Sequence, residues 1–337
     1  MRGIDLMRFQ FDYDLTFSAL LMHPDGHVYH RYGGRDHRDA SRWLGMDSFG
    51  ALLEHTLGDH KARKADASAQ APEAAEPLRM EEIPAFQARD KGACIHCHSV
   101  LPALYQEDLA NDRWRPEQRW RFPSPLRLGF DLHQAEQRKV QNVDANSLAF
   151  AAGLLPGDRV TGLAGACVMT ASDVMFELDK FPYEGGRLNL EVQRDGERQR
   201  LLLDLPAAWK QGTPLSFSWR PFKWGFTPAP GFGGPALDRE ALLAAGVIKP
   251  DHQGDLPFAL RVNYLVTWGE NKRFGKAAES AGLRKNDIVT SIGGHTDFEN
   301  PGHFHAWWRL TQQAGDKVEL KILREGKALT LSVKVQG

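Results

Sequence analysis

Cysteine is scarce: three residues in 337 are too few for a disulfide framework. No run of about 18 apolar residues occurs, so nothing reads as a membrane span. Neither sign of charge is in excess. A formal net charge of −1 gives no global field to draw nucleic acid or an anionic surface. The nucleophile motif Gly-x-Ser-x-Gly is missing, and no segment is left over that is large enough for a trypsin-like double barrel. The start, Met1-Arg2-Gly3-Ile4-Asp5, lacks the apolar stretch of a secretory signal. What is present is 42% hydrophobic residues, enough for real cores in a length that suggests two or three domains.

Two of the three cysteines lie together, in Cys94-Ile95-His96-Cys97-His98. Chance would produce a Cys-x-x-Cys-His pattern about 0.001 times in a chain of this composition, and the spacing suits one covalently attached c-type haem. Each thiolate, Cys94 and Cys97, adds to a vinyl group, and the imidazole of His98 then faces the iron as proximal ligand. Two alternatives stay open. A redox dithiol needs only the two cysteines and leaves His98 unexplained. A zinc site needs a fourth ligand, and no second close Cys/His pair follows. No methionine stands between His98 and Met169, so Met80 or His133 are the candidates for a distal ligand. Trp114 and Trp120 could wall the porphyrin, and Arg113, Arg115, Arg119 and Arg121 could pair with its propionates. Haem c is attached outside the cytoplasm, so the motif implies a periplasmic or extracytoplasmic protein and residues preceding Met1. Cys167, in an apolar context, reads as a buried small hydrophobe.

Ahead of the motif, Leu15–Leu21 and His27–Tyr32 flank Pro24-Asp25-Gly26 and read as a hairpin. Ser48 could cap a helix over 49–60 with Phe49, Leu52, Leu53 and Leu57 on one face. Residues 61–79 lack an apolar period and read as a linker. The hairpin and helix resemble the second half of a thioredoxin fold. A segment over 80–121 then carries the haem motif, with a short helix expected at Pro84–Ala88.

The rest is an internal repeat. Ala152-Gly153-Leu154-Leu155-Pro156-Gly157-Asp158-Arg159-Val160 recurs as Ala281-Gly282-Leu283-Arg284-Lys285-Asn286-Asp287-Ile288-Val289, and Arg194-Asp195-Gly196 recurs as Arg324-Glu325-Gly326. The copies, over 122–206 and 215–337, resemble PDZ domains of the HtrA-protease type. The resemblance implies that Arg127, Leu128, Gly129 and Phe130 form a carboxylate-binding loop and a peptide-pairing strand. A helix over 172–181, with Val174, Met175 and Leu178, would be the other groove wall. The open alternative is a groove filled by the protein's own chain. In the second copy the loop falls at Leu256-Pro257-Phe258-Ala259, where Pro257 removes a donor. His303 and His305, two apart on a helix, make a poor metal pair.

The whole order, with Phe9–Thr16, Tyr32-Gly33-Gly34-Arg35, the haem motif and both PDZ signatures, is similar to a bacterial family. Its members join a thioredoxin-like domain, a c-type haem motif and PDZ domains. The expected fold is therefore α+β: a partial thioredoxin-like segment, a short helical haem segment and two PDZ-like β-barrel or sandwich domains. The expected function is a haem-bearing redox or sensor protein whose PDZ domains dock peptide C-termini. The alternatives are a non-catalytic peptide-binding adaptor and a relative of thiol-disulfide oxidoreductases.

Overall fold

The computed structural model describes residues 1–35, 39, 41–66, 68–73, 75–87, 95–113, 115–211, 229–269, 271–298 and 300–336, without the side chains of positions 109, 116, 119, 303, 306 and 310. The chain divides into two compact units, Met1–Pro221 and Phe222–Gly337.

Unit 1 opens with the expected hairpin. β1 (Ser18–Met22) pairs antiparallel with β2 (Val28–Gly33). Its turn closes through His23 N to His27 O and Gly26 N to His23 O, with Gly26 in the left-handed region at φ +101°. Among the described residues the hairpin makes a two-stranded sheet, and nothing further of a thioredoxin fold is shown. α1 (Met46–Ala65) is longer than expected and takes in the start of the anticipated linker. Ser48 does not cap it; its hydroxyl donates to Gly45 O. Leu52 and Thr56 are buried and Phe49 stacks on Tyr32 at 4.8 Å, while Leu53 and Leu57 are exposed. A two-stranded hairpin covers one narrow stripe of the helix, so the wider apolar face expected from sequence is only half used.

A 3-10 turn (Met80–Glu82), α2 (Pro84–Gln87), a second 3-10 turn (Cys97–Ser99) and α3 (Val100–Ala110) follow. This part is tied back to the amino terminus. Leu6 N donates to Leu78 O, and the Met1 ammonium donates to Ile95 O at 2.9 Å.

The first repeat copy completes unit 1. A 3-10 turn (Pro125–Leu128) leads into β3 (Phe130–Leu132), β4 (Val140–Val143), α4 (Leu148–Ala151), β5 (Arg159–Leu163), β6 (Ala166–Cys167), α5 (Ala171–Lys180), β7 (Gly186–Arg194) and β8 (Glu197–Leu205). The strands form one sheet in the order β6-β5-β7-β8 and a separate pair β3-β4. α5 runs close to its expected span, N-capped by Thr170, whose hydroxyl accepts from Asp173 N. Leu128, Phe130, Leu132, Val160, Val174, Leu178, Leu190 and Val192 share one buried cluster.

The described part of unit 2 repeats this plan with β9 (Phe232–Gly233), α6 (Arg239–Ala244), β10 (Leu260–Arg261), β11 (Tyr264–Leu265), α7 (Lys272–Ser280), β12 (Ile288–Ile292), α8 (Pro301–Thr311), β13 (Lys317–Arg324) and β14 (Lys327–Lys334). Its sheets are β10-β12-β13-β14 and β9-β11. The expected barrels are not closed in either copy. Among the described residues the strands split between two open sheets, with β8 and β14 at their edges.

The repeated sequence blocks have one structural cause. Asp158 sits at 1% side-chain exposure and pairs with Arg194 at 2.7 Å; Asp287, at 2%, pairs with Arg324 at 2.7 Å. Each arginine also donates to a helix-ending carbonyl, Gly153 O or Gly282 O. Each aspartate accepts a backbone N–H from three residues earlier, Leu155 or Arg284. Gly153 and Gly282 take the left-handed conformation that ends α4 and α7. Asp195-Gly196 and Glu325-Gly326 both have positive φ, as a two-residue hairpin turn requires.

Candidate functional site

In copy 1 the expected groove lies between β3 and α5. Gly129 O and His133 N bond toward β4. Alternation along an antiparallel strand therefore turns the N–H and C=O of Phe130 and Leu132 to the outer edge, where a peptide would pair. The loop before β3 is tighter than expected. Arg127 N donates to Ser124 O and Gly129 N to Leu126 O, so two N–H groups of the anticipated nest are spent inside the 3-10 turn. Gly129, at φ +85°, would place a Cβ 2.0 Å from the Ser147 Cβ, so only glycine fits.

Arg127 stands out chemically. Its Nη2 is buried and has no hydrogen-bond partner among the described residues. The guanidinium lies 5.9 Å from the Trp120 ring. Burial alone pushes its pKa down to about 9. A guanidinium keeps its proton at neutral pH, so the lost hydration is an unrelieved cost that an anion at this loop would offset.

The rest of the groove is covered from within unit 1. Trp43, 3% exposed, belongs to the buried cluster of copy 1. Gly34 lies against Met175 of α5 and Trp43; a Cβ there would stand 3.4 Å from Met175 Cε. Arg42 Nη2 donates to Leu132 O at 3.3 Å and to Asp131 Oδ2 at 3.1 Å. Leu132 N donates to Asp131 Oδ1. Both outward groups of Leu132 are thus taken. Gln137 Nε2 donates to Trp43 O, and Gln137 Oε1 accepts from Ala171 N, bracing the cover against α5. β2 docks on the start of α5: Thr170 Oγ1 donates to Arg31 O and Arg31 N to Asp173 Oδ1. The Arg31 guanidinium stacks 3.4 Å over the Phe176 ring.

In copy 2 the loop is not at Leu256–Ala259. Phe258 is a core residue, and β10 just after it pairs with β12. The strand matching β3 is β9, which pairs with β11 as β3 does with β4. The loop is therefore Pro230-Gly231-Phe232, and Pro257 has no bearing on it. Residues 234–259, with α6, are inserted between the paired strands; they push the true loop far from the repeat signature. Gly231, φ +69°, packs its backbone on α7, where a Cβ would meet Gly275 N at 2.3 Å. Asn263 N and Val266 N bond to Gly233 O and Gly231 O, leaving the Phe232 groups on the outer edge. His305 of α8 faces this strand, its Nε2 3.2 Å from where a Gly233 Cβ would stand. The side chain of His303 lies outside the described set. At the end of the helix Arg309 occupies the place that Asp179 holds in copy 1. Asp179 pairs with Arg121 at 2.8 Å. Burial pushes the Arg309 pKa down to about 10.

Of the haem motif, Cys94 lies outside the described residues, as does Trp114. Cys97 is half-buried, and its thiol is pushed up, first by burial. This is opposite to the lowered pKa of an activated dithiol. His98 places Nδ1 3.0 Å from Asp14 Oδ1, a carboxylate 1% exposed. A carboxylate beside an imidazole is the usual support of a metal-bound histidine, so the contact is compatible with the expected axial role. Met80 is fully buried. The Nδ1 of His133, in the loop after β3, accepts from Glu136 N at 3.1 Å. Trp120 lies against Arg127, Arg121 pairs with Asp179, and Arg113 with Asp108. Arg121 and Arg113 have protein carboxylates as partners where propionates were expected, and Arg115 donates to Asp112 O. The side chain of Arg119 is outside the described set. Cys167 is exposed, not buried.

The family described as PDZ domain matches residues 127–205 and 271–335, one stretch in each unit. The fold and the matches thus define a protein with two PDZ domains. No curated protein matches. Among solved structures, the chain is similar to an HtrA-type protease, AlgW, with decapeptide: 15% identity, TM-score 0.24, covering 44% of this chain and 49% of that one. A variant of the same protease with decapeptide shows 12% identity and TM-score 0.27, covering 59% and 54%. This chain thus spans about half the length of those proteins. Among the described residues, no helix is long and apolar enough to cross a membrane.

Proposed function

We propose that this protein is a non-catalytic adaptor that docks peptide C-termini through its PDZ domains, the first using Arg127 and the outward N–H of Phe130. The observation that carries this is the buried Arg127 Nη2 without a hydrogen-bond partner among the described residues, at the loop where a PDZ domain receives a carboxylate. A terminal carboxylate there gains a charge-assisted hydrogen bond and relieves a desolvated cation. Leu128 buries against the core and holds the loop; Gly129 lets it turn. A longer peptide must also displace Arg42 and Trp43 from the strand edge. A library of peptides with free C-termini, probed beside the same peptides amidated, tests this. Free acids should bind and amides should not, and Arg127→Ala should remove the difference. Equal binding of both sets overturns the proposal.

A second reading, a haem-bearing redox or sensor role in the periplasm with a redox partner, rests on the His98–Asp14 contact. Haem, once attached to Cys94 and Cys97, would supply one-electron or small-ligand chemistry. Asp14 would hold the His98 ring in one tautomer, and Met80 or His133 would be the distal candidates. Protein made in a haem-attaching host should gain the mass of one haem c. A bare polypeptide mass ends this reading.

A further inference from the structure

Unit 1 holds a second group of ligating side chains, away from the haem motif and the peptide loop. His30 of β2, and His55 and Asp59 of α1, bring one ligand atom each within 4.8 Å of one another. His30 Nε2 lies 3.1 Å and His55 Nε2 3.4 Å from the same oxygen, Asp59 Oδ2. Zinc–ligand bonds of about 2.0–2.2 Å in a tetrahedron put neighbouring donor atoms roughly 3.3–3.6 Å apart. Both spacings are close to that. The i, i+4 separation of His55 and Asp59 puts them on one helix face.

The other side of His30 is also prepared. Its Nδ1 is 3.1 Å from Asp173 Oδ2, a carboxylate only 5% exposed. Asp173 is itself fixed, accepting from Arg31 N and Met169 N. Nε2 stands 3.1 Å from the Asp59 oxygen, so either a proton or a metal ion lies between them. A carboxylate behind a buried imidazole is the usual outer support of a histidine metal ligand. His30 is 2% exposed, whereas the side chains of His55 and Asp59 are 39% and 38% exposed. Asp59 and His30 also line a surface cleft shared with Cys167. Solvent therefore reaches a fourth position.

We infer that His30, His55 and Asp59 bind a divalent transition-metal ion, Zn2+ by donor type, with Asp173 orienting His30 and the fourth position open to the cleft. The ion would staple α1 to β2. Through Asp173 it would also fasten both to α5, the helix under the groove cover of the first PDZ domain.

The full chain, stripped with a chelator, is titrated with ZnCl2 by calorimetry and with CoCl2 by visible absorption. One ion should bind per chain, with tetrahedral cobalt bands. His55→Ala and Asp59→Asn change partly exposed side chains, so the fold should survive, and each should weaken Zn2+ by at least about tenfold. Two controls remove the competing sites: His98→Ala with Cys97→Ser at the haem motif, and His23→Ala with His60→Ala, a histidine pair whose rings lie 5.3 Å apart. Neither should change the affinity of the main event. No Zn2+ uptake by the wild-type chain overturns the site, since a proton then suffices between His30 and Asp59. Wild-type affinity in the double variant His55→Ala/Asp59→Asn overturns it as well.

Discussion

The two PDZ domains share a skeleton and differ in what surrounds the groove. Both are pinned by a buried aspartate that holds an arginine and a backbone amide, Asp158 with Arg194 and Asp287 with Arg324. Both place a strand edge opposite a helix. In the first, the edge is closed by residues lying about 110 positions ahead of the repeat signature, with Trp43 in the core and Arg42 on Leu132 O. In the second, the strand pair is split by the insertion over 234–259, and His305 and Arg309 stand where Met175 and Asp179 stand in the first. The skeleton is set by folding needs that any copy must meet. The groove is where the copies diverge, and on the proposed function partner choice would be decided there.

Breaking this comparison should begin with Trp43. Trp43→Ala removes a buried indole from the first core and should cost about 3–5 kcal/mol. Urea unfolding should show the loss in the transition of unit 1 and leave that of unit 2 in place. Next come the shared pins. Asp158→Ala and Asp287→Ala should each cost about 3 kcal/mol, because each leaves an arginine and an amide without their acceptor. Equal losses in the two units would support a common skeleton; a loss in one alone would break it. Gly231→Ala sharpens the placement of the second loop. The new Cβ meets the α7 backbone, and a cost of about 2 kcal/mol is expected. If Gly231→Ala is neutral while Pro257→Ala changes unit 2 binding, the loop lies elsewhere. Arg42→Ala should have the smallest effect on stability, about 1 kcal/mol or less for a partly exposed pair. Its value is that it frees Leu132 O for a peptide without emptying the core.

The skeleton was legible in the sequence because its causes are local. Gly153, Gly282 and the Asp195-Gly196 and Glu325-Gly326 turns each need a particular residue at a fixed offset, and the buried aspartates repeat with them. The hairpin that carries His30 and the helix α5 were legible for the same reason. The second loop was misplaced because it was expected near the signature, whereas an insertion with its own small core of Leu242, Ile248 and Ala259 separates β9 from β10. The groove cover left no local trace: Arg42 meets Asp131 across 89 positions and His30 meets Asp173 across 143. Such contacts follow no helical or strand period. The pairing of His98 with Asp14 is equally distant in sequence, so the motif named the imidazole but not what holds it.

The account turns on a carboxylate-seeking groove in the first PDZ domain that the protein's own residues 42–43 partly occupy. Titrating the Arg42→Ala chain and the wild type with free-acid peptides and their amidated twins, read by fluorescence anisotropy, tests it most directly. The account predicts tighter binding of the free acids to Arg42→Ala than to wild type, with amides weak to both. Amides that bind as well as acids, or an Arg42→Ala chain that binds no better than wild type, would contradict it.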